Sequence, residues 1–124
     1  MIRSEDRWGY FIGPVQTWWS LVDPRTMTVS RAVTYVDRNR KQWCVPEGTG
    51  INGASVPWLL RRLFPAYIGY YRRATVIHDW ACSVREEPSP VVHRMFYEAM
   101  RCDQTPAITA CLMYAAVRVF GPRF

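Results

Sequence analysis

The fold is decided most clearly by residues 70–102, which read YYRRATVIHDWACSVREEPSPVVHRMFYEAMRC. The first half of this stretch, residues 70–85, contains neither glycine nor proline. Four of its residues recur with the spacing of one helical face: Ala74, Ile77, His78 and Ala81. The pattern predicts a helix of about four turns over residues 70–85.

Two further helices are expected on the C-terminal side. Ser89 can cap a second helix with Pro90 at its first position, where a missing N–H costs nothing, and this helix should run to about Cys102. A third helix is expected over residues 106–120, which are apolar almost throughout. This segment is shorter than the roughly twenty residues that span a bilayer, so it is interpreted as a buried helix.

Short β-type runs precede the helices. They are separated by turn residues and cover residues 8–12, 18–22, 32–36 and 42–45. Residues 31–36 alternate polar with apolar, and residues 41–45 return after a polar turn, which predicts a hairpin. The fold class expected is therefore α+β, with a small N-terminal antiparallel β-sheet followed by a bundle of about three helices.

Length and composition set further bounds. A chain of 124 residues has room for one core, so residues 1–124 are expected to form a single domain, β-rich over 8–50 and helical over 57–121. Apolar residues make up 49% of the chain and charged residues 21%, which excludes disorder. The four cysteines include no C-x-x-C pair, so reduced, buried thiols are expected. No secretory signal opens the chain, which favours synthesis in a host cytoplasm.

The charge is positive and is carried almost entirely by arginine. The formal net charge is +6, and fifteen of the sixteen basic residues are arginines. This balance suits a nucleic acid, an anionic membrane or an acidic neighbour in an assembly. Two arginine pairs with tyrosines between them form a candidate patch facing a partner or phosphate: Arg61, Arg62, Arg72 and Arg73. The alternative is a solvated rim whose arginine stems cover the tyrosines.

His78 and Asp79 are the first candidates for chemistry. Successive helical residues point about 100° apart, so a core-facing His78 would leave Asp79 directed sideways into a crevice. The imidazole can then act as a general base that activates water, while the carboxylate binds a cation. The alternative is a histidine satisfied by a backbone carbonyl beside an aspartate in a cap or salt bridge.

A loop of small residues lies between the expected sheet and helices. Residues 48–57 read GTGINGASVP, a composition that lets backbone approach a ligand closely. Asn52, Gly53 and Ser55 are the candidate ligand-loop residues. The alternative is a turn that reverses the chain before the helices.

His93 adds a candidate metal site. In a tight antiparallel pair of helices around Pro88, His93 lies across from Cys82, which follows His78 by one turn. His78, Cys82 and His93 can then approach within the reach of a metal ion, with Asp79 at the flank, and the candidate ions are calcium and zinc. The alternative is a polar edge of the core.

Six motifs stand in order between about residues 30 and 122. They read VPEG at 45–48, NGASVP at 52–57, YRRA at 71–74, HDW at 78–80, FYEAM at 96–100 and MYAAVRVFG at 113–121. Together they resemble the family of phage and prophage proteins catalogued as domain of unknown function 1353. The loop aspartate of that family is Asn52 here, and the aspartate of its second helix is replaced by His93.

The same resemblance brings a second, more distant one. The helix pair of the family is similar to that of phospholipase A2, in which a His-Asp pair activates water and binds calcium. That similarity implies His78 as the base, Asp79 as the calcium ligand and His93 as an orienting residue that lacks a carboxylate.

These observations lead to three functional hypotheses. The first is a virion- or tail-associated phage structural protein that docks on other phage structural proteins and carries a vestigial His-Asp site. The second is a small metal-dependent hydrolase of lipid or cell envelope. The third is a nucleic-acid packaging protein that binds without sequence preference, because no sequence-reading motif is present.

Overall fold

Strands precede helices in the computed structural model, which describes residues 8–12, 17–19, 27–51 and 72–124. The strands are β1 (Tyr10–Ile12), β2 (Thr17–Trp19), β3 (Met27–Val29), β4 (Val33–Val36), β5 (Gln42–Val45) and β6 (Gly50–Ile51). The helices are α1 (Arg72–Val84), α2 (Ser89–Cys102) and α3 (Ala107–Phe120). The expected α+β class, with antiparallel strands first and three helices after them, is confirmed.

The strands form two sheets rather than the one expected. One sheet has the order β1-β4-β5 and the other β2-β3-β6, and all their pairings are antiparallel. Strands β3 and β6 were not predicted. They contain three and two residues, too few for an alternating pattern to be recognised, and they form because each has a partner strand.

The predicted hairpin is formed by β4 and β5, with Val36 opposite Gln42. The carboxylate of Asp37 closes its turn, since Oδ1 accepts hydrogen bonds from the backbone N–H groups of Asn39 (2.8 Å) and Lys41 (3.0 Å). Oδ2 of Asp37 accepts a third hydrogen bond, from the indole N–H of Trp43 at 3.1 Å. Side-chain bonds from one aspartate therefore hold the hairpin in register.

Gly9, just before β1, occupies a position that only glycine fits. Its φ is +92°, and a Cβ atom there would lie 2.9 Å from Cα of Asp37. Gly9→Ala is therefore expected to lower the free energy of unfolding by about 2 kcal/mol, from backbone strain and the clash together. Urea denaturation measures this change. Gly48→Ala is the matched control, because Gly48 also has a positive φ, +87°, but nothing within 4 Å of the added atom. Equal losses in the free energy of unfolding of the two variants would contradict a contribution from the clash at Gly9.

The helices stack outward from the strands. Helix α1 packs against β4, β5 and β6, helix α2 packs against α1, and helix α3 packs against α2. One buried apolar cluster extends through both sheets and all three helices, and its members include Val29, Tyr35, Val45, Ile51, Ile77, Phe96 and Met113. The inward faces of α1 and α2 are therefore positioned by a shared core.

The start of α2 differs from the prediction. The residue at the N-cap is Pro88, and Ser89 is the first helical residue, so Ser89 does not cap the helix. The side chain and backbone of Ser89 instead bind the last residue of the chain. Its N–H donates to the carbonyl of Phe124 at 2.8 Å, and its Oγ accepts from the N–H of Phe124 at 3.1 Å. This pair of bonds ties the C-terminal segment to the beginning of α2.

Helix α3 is not the buried helix that its apolar sequence suggested. Only Ala110, Met113 and Val117 are buried, because α3 lies at the edge of the stack and packs against α2. Large apolar side chains on its other face are exposed: Ile108 (77%), Leu112 (54%), Val119 (55%) and Phe120 (79%). No described helix is long and apolar enough to cross a membrane.

Candidate functional site

The central feature of the candidate site is a buried group of donor atoms between α1 and α2. His78 and Cys82 lie one turn apart on α1, and His93 lies on α2. One donor atom from each residue lies within 4.8 Å of the others, and all three residues are buried. The helix pair thus brings together His78, Cys82 and His93, as the sequence spacing predicted. Their roles as metal ligands or as a base stay predictions.

Hydrogen bonds determine the tautomers of both histidines. Nε2 of His93 lies 2.9 Å from the carbonyl oxygen of Pro122, which can only accept, so Nε2 of His93 carries a proton. In the neutral ring Nδ1 of His93 is then an acceptor. It lies 2.9 Å from Nε2 of His78, which must donate. A directed chain of bonds therefore runs from α1 through α2 to the C-terminal segment.

The ring of His78 is enclosed. It has no exposed surface and stacks on Phe96, with ring centroids 4.3 Å apart. Burial, and secondarily the nearby His93, lowers the pKa of His78 from 6.5 to about 3. Burial also lowers the pKa of His93, which is 2% exposed. Both rings are therefore neutral at pH 7.

Cys82 completes the group of three donors. Its Sγ lies 3.6 Å from Nε2 of His78. Burial, with a further contribution from the charge of Asp79, raises the pKa of the Cys82 thiol to about 12, while Arg85 acts in the opposite direction. The metal-free thiol is therefore protonated at pH 7 and makes at most a weak contact with the imidazole.

Asp79 stands apart from these donors. The residue is 8% exposed, so its side chain is largely shielded from solvent. Among the described residues, the group of close donor atoms consists of His78, Cys82 and His93 and does not include the Asp79 carboxylate. The roles of His78 as base and Asp79 as cation ligand stay predictions.

The structure locates one member of the predicted arginine patch in detail. Arg73 forms a bidentate ion pair with Asp103, in which Nε lies 2.9 Å from Oδ2. Its guanidinium also lies over the ring of Phe11. This side chain joins the start of α1 to the end of α2. Arg72 is the first residue of α1. The predictions for Arg61, Arg62, Asn52, Gly53 and Ser55, and for the side chain of Arg72, fall outside the described part of the chain.

Two surface cavities are lined by described residues elsewhere. One, of about 590 Å³, is bordered by Gly9, Asp37 and Arg38. The other, of about 370 Å³, is bordered by Trp43 and Glu98 among others. Neither lining includes His78 or His93.

Two partners of the histidines were missed from the sequence. Phe96 follows His93 by three residues on α2, and this spacing could have indicated that both share the face directed at α1. The carbonyl of Pro122 carried no signal, because a backbone acceptor from a segment 29 residues away leaves no pattern in residue types.

Comparison with known proteins gives a family and two relatives. The model of a family described as "Protein of unknown function (DUF1353)" matches residues 27–117. The uncharacterized protein y4jT of Sinorhizobium fredii (strain NBRC 101917 / NGR234) is 36% identical over 102 residues, covering 81% of this chain and 30% of the relative. The uncharacterized protein y4iH of the same organism is 39% identical over 92 residues, covering 73% of this chain and 38% of the relative. The chain thus spans about a third of the length of these relatives. No solved structure matches it.

Proposed function

This chain belongs to the DUF1353 family of proteins of unknown function, and we propose that it is a non-catalytic assembly component of a phage particle or tail. The phage setting is implied by the resemblance of the six motifs to a family of phage and prophage proteins. The assembly role is carried by one observation, the exposed apolar face of α3. The partner is a neighbouring phage structural protein that offers an apolar surface with an acidic rim.

The apolar face of α3 has the form of a helix-packing surface. Four exposed residues are spaced by four, three and four positions, which is the spacing of a heptad seam: Ile108, Leu112, Ala115 and Val119. Phe120 extends this face at its C-terminal end and is 79% exposed. Contiguous apolar surface of this kind is typical of a protein interface, because leaving it in water is costly.

Charge favours an acidic partner. The chain carries a net charge of +6, and Arg118 and Arg123 lie exposed beside the apolar face. Interfaces of this type combine an apolar centre with a charged rim, and complementary charge speeds correct docking. A second copy of the chain would bring two positive rims together, so it is the less favoured occupant.

The geometry of the histidines also supports a non-catalytic role. A general base must reach the proton that it abstracts, directly or through one water. The ring of His78 has no exposed surface, and a pKa of about 3 makes it a poor base at pH 7. Its hydrogen bond to His93 instead connects two helices.

Mass spectrometry of purified particles tests the assembly role. The protein should be present at a fixed ratio to known structural proteins, and its absence from particles would contradict the proposal. Release of lipid or peptidoglycan fragments by the purified protein would favour the hydrolase. Nucleic-acid binding that weakens steeply with salt would favour packaging.

Substitutions on α3 test the proposed surface. The double variant Ile108→Asp, Phe120→Asp is expected to reduce incorporation into particles at least about tenfold, which corresponds to about 1.4 kcal/mol of binding free energy. The fold should be unchanged, because both side chains are more than three quarters exposed. Val91→Asp is the matched control, since Val91 is an exposed apolar residue (43%) on α2. Equal incorporation of the double variant and the control would contradict docking through α3.

A further inference from the structure

The buried donors between α1 and α2 have the composition of a transition-metal site. Two imidazole nitrogens and one thiol sulfur converge there, and among the described residues no carboxylate belongs to the group. Calcium prefers six to eight oxygen ligands, whereas zinc is bound by nitrogen and sulfur in tetrahedral sites. We propose that His78, Cys82 and His93 bind one zinc ion that fastens α1 to α2.

The distances fit this ion. On a tetrahedral zinc, with Zn–N of about 2.05 Å and Zn–S of about 2.3 Å, two nitrogens lie about 3.3 Å apart and a nitrogen and a sulfur about 3.6 Å apart. Nε2 of His78 lies 3.6 Å from Sγ of Cys82 and 2.9 Å from Nδ1 of His93. On this geometry zinc requires the two nitrogens to separate by about 0.4 Å. It also requires the donor atoms of Cys82 and His93, which lie within 4.8 Å of each other, to approach by up to about 1.2 Å.

The surroundings of His93 are those of a ligand already held in place. It faces the group with Nδ1, while its Nε2–H donates to the carbonyl of Pro122 at 2.9 Å. Metal-ligating histidines almost always donate their second N–H in this way, which sets the tautomer and directs the free nitrogen at the ion. The bond to Pro122 thus serves the same purpose with zinc as without it.

Zinc binding changes the protons in a defined way. The thiol of Cys82 loses its proton to solvent when sulfur binds the ion. His78 binds through Nε2, so its proton moves from Nε2 to Nδ1 through exchange with solvent, and the ring stays neutral. His93 keeps its proton on Nε2. One proton is therefore released per zinc, and water takes the fourth ligand position.

Metal titration of the reduced full chain tests the site. Elemental analysis after zinc loading and desalting should give one zinc per chain, and cobalt(II) should produce the visible bands of tetrahedral coordination together with a sulfur-to-cobalt charge-transfer band. Cys82→Ala should remove the charge-transfer band and weaken zinc binding at least about 100-fold, the upper end of what losing an outer-shell partner costs. Cys111→Ala is the matched control, because Cys111 is an exposed free thiol on α3. No bound metal in the wild type, or an unchanged charge-transfer band in Cys82→Ala, would overturn the proposal.

Nitrogen NMR of the wild-type histidines gives a test that needs no variant. In metal-free protein both rings should be protonated on Nε2. Addition of one equivalent of zinc should move the proton of His78 to Nδ1. The tautomer of His93 should stay the same, with its proton on Nε2. Zinc binding with no tautomer change at His78 would place the ion elsewhere and overturn the proposal. Neither experiment involves phage particles, so its outcome is independent of the assembly role.

Discussion

His78→Ala is expected to lower the free energy of unfolding by about 4 kcal/mol in metal-free protein. The substitution empties the space of a fully buried ring that stacks on Phe96 at 4.3 Å, and large-to-alanine changes in cores cost about 2–5 kcal/mol. It also leaves Nδ1 of His93 without its donor, which adds about 1–3 kcal/mol if no water replaces it. Urea denaturation followed by circular dichroism measures the change.

Two variants separate the causes of this loss. His78→Gln retains a side-chain N–H that can reach His93 while removing the ring, so it should cost about 2 kcal/mol, less than alanine. Val84→Ala, at an exposed position of the same helix, should cost less than about 1 kcal/mol. A loss below about 1 kcal/mol for His78→Ala would contradict a structural role and would restore the hypothesis of a catalytic residue that the fold does not need.

Acid is expected to destabilise the protein because the folded state cannot readily protonate His78. Burial lowers the pKa of His78 to about 3, whereas the unfolded chain takes up this proton near pH 6.5. Below pH 6.5 the unfolded state therefore binds more protons than the folded state. The contribution of His78 to the free energy of unfolding is fully present above that pH and is lost as the pH falls toward 3. Between pH 7 and pH 4 the expected loss is about 3 kcal/mol. Urea denaturation across this range, with a chelator present, measures it.

Other titrating groups decide how the result is interpreted. The pKa of His93 is lowered by burial too, so His93 adds to the loss in acid. The pKa of Glu98 is raised, chiefly by burial, so Glu98 acts in the opposite direction and favours the folded state as the pH falls toward 4.5. His78→Gln removes the contribution of His78 and should flatten the dependence of the free energy of unfolding on pH. An unchanged slope in His78→Gln would assign the acid sensitivity to other groups.

Part of the site was predictable from the sequence because its causes are local. The absence of Gly and Pro before Arg85 and the Pro88 connection predicted an antiparallel helix pair, and helical periodicity placed His78 and Cys82 on one face. With a short connection, residues at similar distances from it lie across from each other, which brought His93 near Cys82. The sequence could not give the rotation of either helix, so the buried position of Asp79 and the stacking on Phe96 came only from the structure.

The predictions that were wrong concern burial. Helix α3 was expected to be buried because it is apolar on nearly every side, yet its large exposed side chains show that composition does not tell which faces a fold covers. Two of the four cysteines, Cys44 and Cys111, are likewise exposed. Ser89 was expected to cap α2 and instead binds Phe124. For α3, the cysteines and Ser89 alike, the residues that cover or bind them are distant in sequence.

The sequence by itself determined the helices, the hairpin and the shared face of His78 and Cys82 on α1, since backbone propensity and side-chain period act within a few residues. Only the tertiary structure decided that His78 is enclosed, that Pro122 sets the tautomers and that α3 presents an apolar face to solvent. These properties depend on which surfaces meet when distant segments pack, and burial then determines the pKa of each group and the metal that it can bind.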